Sequence, residues 1–378
     1  MKKKNGNELL FVLYIFLFII IKFFFKFDPT HTFIMLLVPS IIILLSSFIY
    51  NGRKSVVLKP HILFISIIVF IPFLLTIIFN NNSYVMNYLY EFIIYGLIPM
   101  YLFSRVKDIN EVINIGGKFS IISFLLFFYD PLRNYYYFSD YMSFGLVCML
   151  PIFLFSILSR KRLGKKKFFI LEMLSLFEML IFCNRGSFLT AIIIEIVFFI
   201  IEDNKEKNKY LFFKIISLIA AAFILIANVN NILLIIQKVL TSLNFNSYSI
   251  RAVSLMISGN SSGLSGRENI WANAISYFWD SPIFGHGIGS FENIYGIYTH
   301  NLILETLTST GIIGLIVILI SFIKCIKKII IGENKSFYFA LLIIGIFPLL
   351  FSIYIYKWLF FWILIYIAYD KPFKKERK

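Results

Sequence analysis

Residues 9–25 read LLFVLYIFLFIIIKFFF, a run interrupted by one charge, Lys22. As a helix it is long and apolar enough to cross a hydrocarbon core of roughly 30 Å. Lys2, Lys3 and Lys4 precede it and no small-residue cleavage site follows, so it reads as a retained first helix, with no signal removed. Similar stretches recur along the chain, about twelve in all. They are centred near residues 17, 41, 71, 93, 121, 149, 175, 195, 219, 311, 344 and 362. In lipid every backbone N–H and C=O must be bonded within the protein, which makes each stretch a helix. Composition agrees: 59% of residues are hydrophobic and 15% charged, against about a quarter charged in soluble domains, and mean hydropathy is +0.84. The expected fold class is an all-α polytopic membrane protein.

The net charge of +16 raises the possibility of a nucleic-acid partner, but its distribution argues against one. Basic residues gather in alternate connections: Lys2 to Lys4, Arg53 to Lys59, Arg105 with Lys107, Arg160 to Lys167, Lys205 to Lys209, Lys324 to Lys335, and Lys371 to Lys378. These hold 26 of the 36 Lys and Arg residues. That alternation is the positive-inside pattern, and a count of twelve helices satisfies it at every turn. Both termini are therefore expected in the cytoplasm. Residues 1–378 read as a single membrane domain: helices one to nine over 1–228, an extracytoplasmic loop with short amphipathic helices over 229–300, and helices ten to twelve with a cytoplasmic tail over 301–378. The cluster from Arg160 to Lys167 sets orientation and also suits anionic lipid headgroups. Cys148, Cys183 and Cys325 fall near different helices and suggest neither a disulfide framework nor a metal knuckle.

The long polar interruption is where chemistry is expected. Ser265-Gly266-Arg267-Glu268 has capping-box spacing and opens a helix with Ile270, Trp271, Ala274, Ile275 and Phe278 along one side. That helix should stop at Asp280-Ser281-Pro282. Arg267 then lies in a first helical turn, where free N–H groups and the dipole attract phosphate, or is a surface arginine without a role. Gly285-His286-Gly287-Ile288-Gly289 lacks the strand, spacing and lysine of a nucleotide loop. It reads as a flexible or tightly turning approach to a site. His300 and Asn301 should open the tenth helix. Imidazole is matched to proton transfer near neutral pH, and a first-turn position favours its neutral form, although a lone histidine is often structural. Asn301, Glu305 and Thr308 share one face of that helix by their i, i+4, i+7 spacing.

Arg185 is a second anchor. Basic connections flank residues 168–201, so the seventh and eighth helices form a hairpin turning at Asn184-Arg185-Gly186-Ser187. Each arm spans roughly 25 Å, which puts Arg185 at or just below the outer boundary. Arginine there snorkels to the headgroups, or binds an anion in a cavity. Glu91, Glu172, Glu178 and Glu195 are further intramembrane carboxylates whose partners the sequence does not name.

Taken together, Gly266-Arg267, Trp271, Pro282, Gly285, Gly287, Gly289, Phe291, His300-Asn301, Leu304-Glu305, Gly311 and Gly314 resemble the O-antigen ligase and Wzy-type polysaccharide polymerase superfamily. Asn184-Arg185-Gly186 is similar to that family's arginine-bearing turn. The motif-bearing likeness covers about residues 184–315. It implies a membrane glycosyltransferase of the GT-C class acting on undecaprenyl-pyrophosphate-linked oligosaccharide at the outer face of the cytoplasmic membrane. By that resemblance Arg185 and Arg267 hold the pyrophosphate and His300 activates the acceptor hydroxyl. His286, Tyr298, Asn301 and Glu305 are supporting candidates. The resemblance implies no metal and no cofactor; the partners would be the lipid-linked glycan, the bilayer, a chain-length regulator and a flippase, with no nucleic acid. A repeat-unit polymerase is the leading expectation. A ligase passing polymer to another acceptor is its nearest rival, a glycolipid flippase is a rival of a different class, and a non-catalytic scaffold is a third.

Overall fold

A computed structural model of the chain describes residues 5–25, 32–52, 58–80, 82–127, 142, 144–202, 235, 238–239, 242, 267–331 and 334–370. All regular structure among the described residues is helical. The chain divides into two compact units, residues 1–119 with 267–378, and residues 120–266. The expected helix near residue 219, most of the 229–266 stretch and Ser265 lie outside the described residues. Helices cover the other expected centres, and four are long and apolar enough to cross a membrane: Pro60–Phe79, Ile109–Leu126, Phe144–Leu163 and Leu302–Ile330.

The first unit contains α1 (Gly6–Phe25), α2 (Thr32–Asn51), α3 (Pro60–Phe79), α4 (Val85–Glu91), a π-helical stretch Phe92–Leu97, and α5 (Ile98–Arg105). After α6 (Ile109–Phe127), which leads out of this unit, it resumes with α10 (Arg267–Asp280), α11 (Ser290–Tyr295), α12 (Leu302–Ile331), α13 (Lys335–Ile346) and α14 (Leu359–Tyr369). Its core is α14, buried from Leu359 through Ala368. Two indoles tie it in: Trp358 Nε1 donates to the Ile344 carbonyl at 2.7 Å and Trp362 Nε1 to the Ile355 carbonyl at 2.8 Å. By contrast, α3 and α12 expose Leu63, Phe64, Ile67, Ile316, Leu319 and Ile323. Apolar area of that kind left outward on long helices suits contact with lipid.

The Gly-rich segment corrects one half of its expected character: it turns tightly and is fastened at both edges. Gly311 breaks α12 with φ 65° and ψ −162°, a conformation essentially limited to glycine. The break frees carbonyls of α12, so His286 N–H donates to Thr308 at 2.8 Å and Gly287 N–H to Ser309 at 2.9 Å. Ile312 N–H returns a bond to Pro282 at 2.9 Å. On the opposite edge Ile288 N–H donates to Thr76 Oγ1 at 2.9 Å, Asn82 Nδ2 donates to the Ile288 carbonyl at 2.7 Å, and Asn80 Nδ2 donates to the His286 carbonyl. Positive φ at Gly285, Gly287 and Gly289 makes these approaches feasible.

The second unit contains a π-helical stretch Phe144–Met149, α7 (Leu150–Leu163), α8 (Lys166–Phe182) and α9 (Arg185–Glu202). Gly164 ends α7 in a left-handed conformation, its N–H returning to the Arg160 carbonyl at 2.7 Å. Arg160, from the expected cytoplasmic cluster, points back into the unit. Its Nε donates to buried Glu172 at 2.6 Å and its Nη2 lies 3.5 Å from Glu195. One guanidinium thus serves two of the carboxylates whose partners the sequence left unnamed.

Candidate active site

The most developed polar site is in the first unit, where α10, the turn before α12 and the segment before α14 meet. Arg267 lies in the first turn of α10 (Arg267–Asp280), and the helix stops at Asp280, both as expected. Its packed face is narrower than the sequence pattern implies: Ala274 and Phe278 are buried but Ile275 is exposed. Trp271 follows Arg267 by four residues and so shares its side of the helix. Its indole Nε1 donates to the Thr299 carbonyl at 3.0 Å. That bond carries the start of α10 to the Tyr298–His300 stretch.

The position of His300 differs from expectation. α12 opens at Leu302, not at His300. Asn301 is its N-cap, accepting at Oδ1 from the N–H groups of Ile303 (2.9 Å) and Leu304 (3.2 Å). His300 precedes the cap with φ 54°, in the left-handed region that non-glycine residues rarely occupy. The competing force is capping: asparagine satisfies the orphan helical donors, and histidine is displaced into the turn. Beneath it, buried Glu305 accepts from Thr299 Oγ1 at 3.0 Å, fixing the backbone between Tyr298 and His300. Glu305 thus faces the turn that carries His300.

The imidazole is half-buried, and Tyr298 covers it with ring centroids 3.9 Å apart. Burial, then the neighbouring Arg267 charge, lowers the His300 pKa to about 4, against a smaller opposing hydrogen bond to the Ser352 carbonyl. His300 is therefore neutral at physiological pH, although the cause is desolvation and a cation, not a helix terminus. Burial pushes the Tyr298 phenol well up, keeping it a donor. It donates to the Ser352 carbonyl at 2.9 Å.

Behind Tyr298 lies a second layer that sequence reasoning did not assemble. Tyr354 packs on Tyr298 at 4.9 Å and on Tyr88 at 4.8 Å. Its phenol donates to Glu91 Oε2 at 2.5 Å, and Lys357 Nζ lies 3.6 Å from Glu91 Oε1. Tyr88 donates to Glu292 at 2.6 Å. Glu91 and Lys357 stand 266 positions apart without shared periodicity; the available signal was that each is a charge in an apolar setting.

The remaining candidates have other surroundings. His286 stacks on Tyr277 at 3.8 Å, and its Nε2 bonds the Tyr277 carbonyl at 2.6 Å. Arg185 belongs to the second unit, as the first residue of α9. The turn before it is Cys183–Asn184, shorter than expected, because Ser187 N–H and its side chain both bond Asn184 and draw 185–187 into the helix. An apolar cavity of about 660 Å³ runs between α3, α12 and α14, with Gly285–Gly287 at one end and Tyr369 among its lining residues. Among the described residues no group of three or more His, Cys, Asp or Glu side chains is placed to hold a metal ion.

The start of α10, the Gly-rich turn and the His300 turn all lie in one stretch with a counterpart in a known family. Residues 170–319 match the O-antigen ligase family model. The match supports the superfamily resemblance read from the motifs and includes Arg185, Arg267 and His300. Tyr354, Ser352 and Glu91 lie outside it. An O-antigen ligase match implies a membrane enzyme of the ligase or polymerase kind, working on lipid-linked oligosaccharide in polysaccharide biosynthesis. No curated protein and no solved structure matched the chain.

Proposed function

We propose that the chain is a repeat-unit polymerase of a surface polysaccharide. It would transfer an undecaprenyl-pyrophosphate-linked glycan to a sugar hydroxyl of another lipid-linked unit at the outer face of the cytoplasmic membrane. The observation that carries the reading is the half-buried His300 turn tied by Trp271 to the start of α10, which brings the imidazole under the charge of Arg267. A neutral imidazole takes the acceptor hydroxyl proton as the oxygen attacks the anomeric carbon. The bond from that carbon to the phosphate oxygen breaks, and the pyrophosphate departs with the electron pair. Arg267, at a helix start with its free N–H groups, stabilises the growing charge without a metal ion. Arg185 is proposed as the second pyrophosphate ligand on the family resemblance. The apolar cavity along α3 and α12 suits the isoprenoid chain. Phe, Ile, Lys and Asn richness is what an AT-rich genome encodes, and we take the cell to be one that lacks an outer membrane. That setting favours a lipid-linked acceptor over a lipid A core.

The test uses purified protein in proteoliposomes with lipid-linked repeat units and EDTA. Longer glycan with release of undecaprenyl pyrophosphate supports the polymerase. Transfer only to a different added acceptor would make it a ligase. Translocation without new linkages would make it a flippase and remove the proposal.

A further inference from the structure

The polar layer behind His300 has a specific geometry. The Tyr298 phenol donates to the Ser352 carbonyl at 2.9 Å, and the Ser352 backbone also acts on the His300 ring. The Tyr298 ring covers the imidazole at 3.9 Å, and Tyr354 supports Tyr298 from behind at 4.9 Å. Tyr354 is fixed in turn by Glu91, which Lys357 approaches at 3.6 Å. Ser352, Tyr354 and Lys357 belong to one segment, residues 351–358 between α13 and α14, which short helical turns and the buried Trp358 indole hold in place.

We propose that Tyr298 is a positioning residue for His300, braced by the Ser352 carbonyl and the Tyr354–Glu91–Lys357 chain, which together hold the imidazole in one orientation before the acceptor arrives. A base already aligned loses no rotational freedom during reaction, so the brace acts on turnover more than on binding. This inference rests on His300 acting as the base.

Charged groups act on the Tyr298–His300 pair from the neighbouring elements: Arg267 from α10 on both rings, and Glu292 from α11, Glu305 from α12 and Glu91 from α4 on Tyr298, which Tyr354 also contacts. Of these, Arg267 and the Tyr298 ring that shields it most directly keep the imidazole neutral.

Three variants in the proteoliposome assay test the brace, each corrected for correctly inserted protein. Tyr298→Phe keeps the ring and loses the bond to Ser352; kcat should fall about tenfold with KM unchanged and the acid limb of the pH profile in place. Tyr298→Leu also uncovers the imidazole, so kcat should fall further and the acid limb should climb from near 4 towards 6.5. Tyr354→Phe keeps the stack but releases Glu91, and should lower kcat by a few-fold. A purely structural role would lower the amount of inserted protein while leaving kcat and the acid limb unchanged, and that result overturns the inference. Should His300→Ala retain full activity, the polymerase reading fails first. Should His300→Ala be inactive while all three brace variants turn over normally, only the brace is wrong.

Discussion

At the residue scale, His300 and Arg267 each make the other useful. Arg267 disfavours the imidazolium, and burial does so more strongly, giving a histidine that titrates near 4 instead of near 6.5. As a base it is competent above that value and is lost as pH falls through it. The rate of glycan extension should therefore be flat from about pH 6 to 8, with an acid limb near 4, measured as kcat/KM against pH. Arg267→Ala should shift that limb upward because one of its two causes is gone. It should also reduce turnover by about a hundredfold or more through loss of charge stabilisation at the leaving group. An acid limb near 6.5 in the wild-type protein would place the reacting histidine in water.

At the element scale, the break in α12 organises the site. Gly311 and Gly285 let the Gly-rich turn enter the broken helix; a Cβ on Gly311 would strike the Ile283 carbonyl, and one on Gly285 would sit 2.6 Å from the Ser309 carbonyl carbon. Gly311→Ala should cost about 1–3 kcal/mol of strain. It should also lower the melting temperature in detergent, whereas Gly296→Ala, whose Cβ meets open space, should cost less. A Gly311→Ala protein melting with the wild type would contradict the lock. Much of this region is legible in the sequence. Glu268 in the first turn and the stop at Asp280-Ser281-Pro282 mark α10, because caps and breakers act over a few residues. The break in α12 is not legible, since a glycine in an apolar helix has the same local signature whether it is helical or not. Nor is the contact of Tyr354 with Tyr298, which depends on two turns distant in sequence. The expectation that His300 begins a helix fails by two residues, because Asn301 is the better cap.

At the scale of the whole molecule, apolar faces on α3 and α12 and the matched family agree on a multi-pass membrane protein. The orientation rests on the positive-inside pattern and can be tested by labelling. Asn293→Cys, at an exposed position on α11, should react with a membrane-impermeant maleimide in intact cells. Lys165→Cys should react only after permeabilisation; reversed labelling would put the His300 turn in the cytosol, where the proposed chemistry has no substrate. The most direct measurement is the rate of glycan extension by reconstituted His300→Ala, compared with wild type at equal inserted amounts. Loss of a general base should slow it by about 10²–10⁴-fold while insertion and melting stay near wild type. Extension within a few-fold of wild type would mean that the imidazole does not take the acceptor's proton.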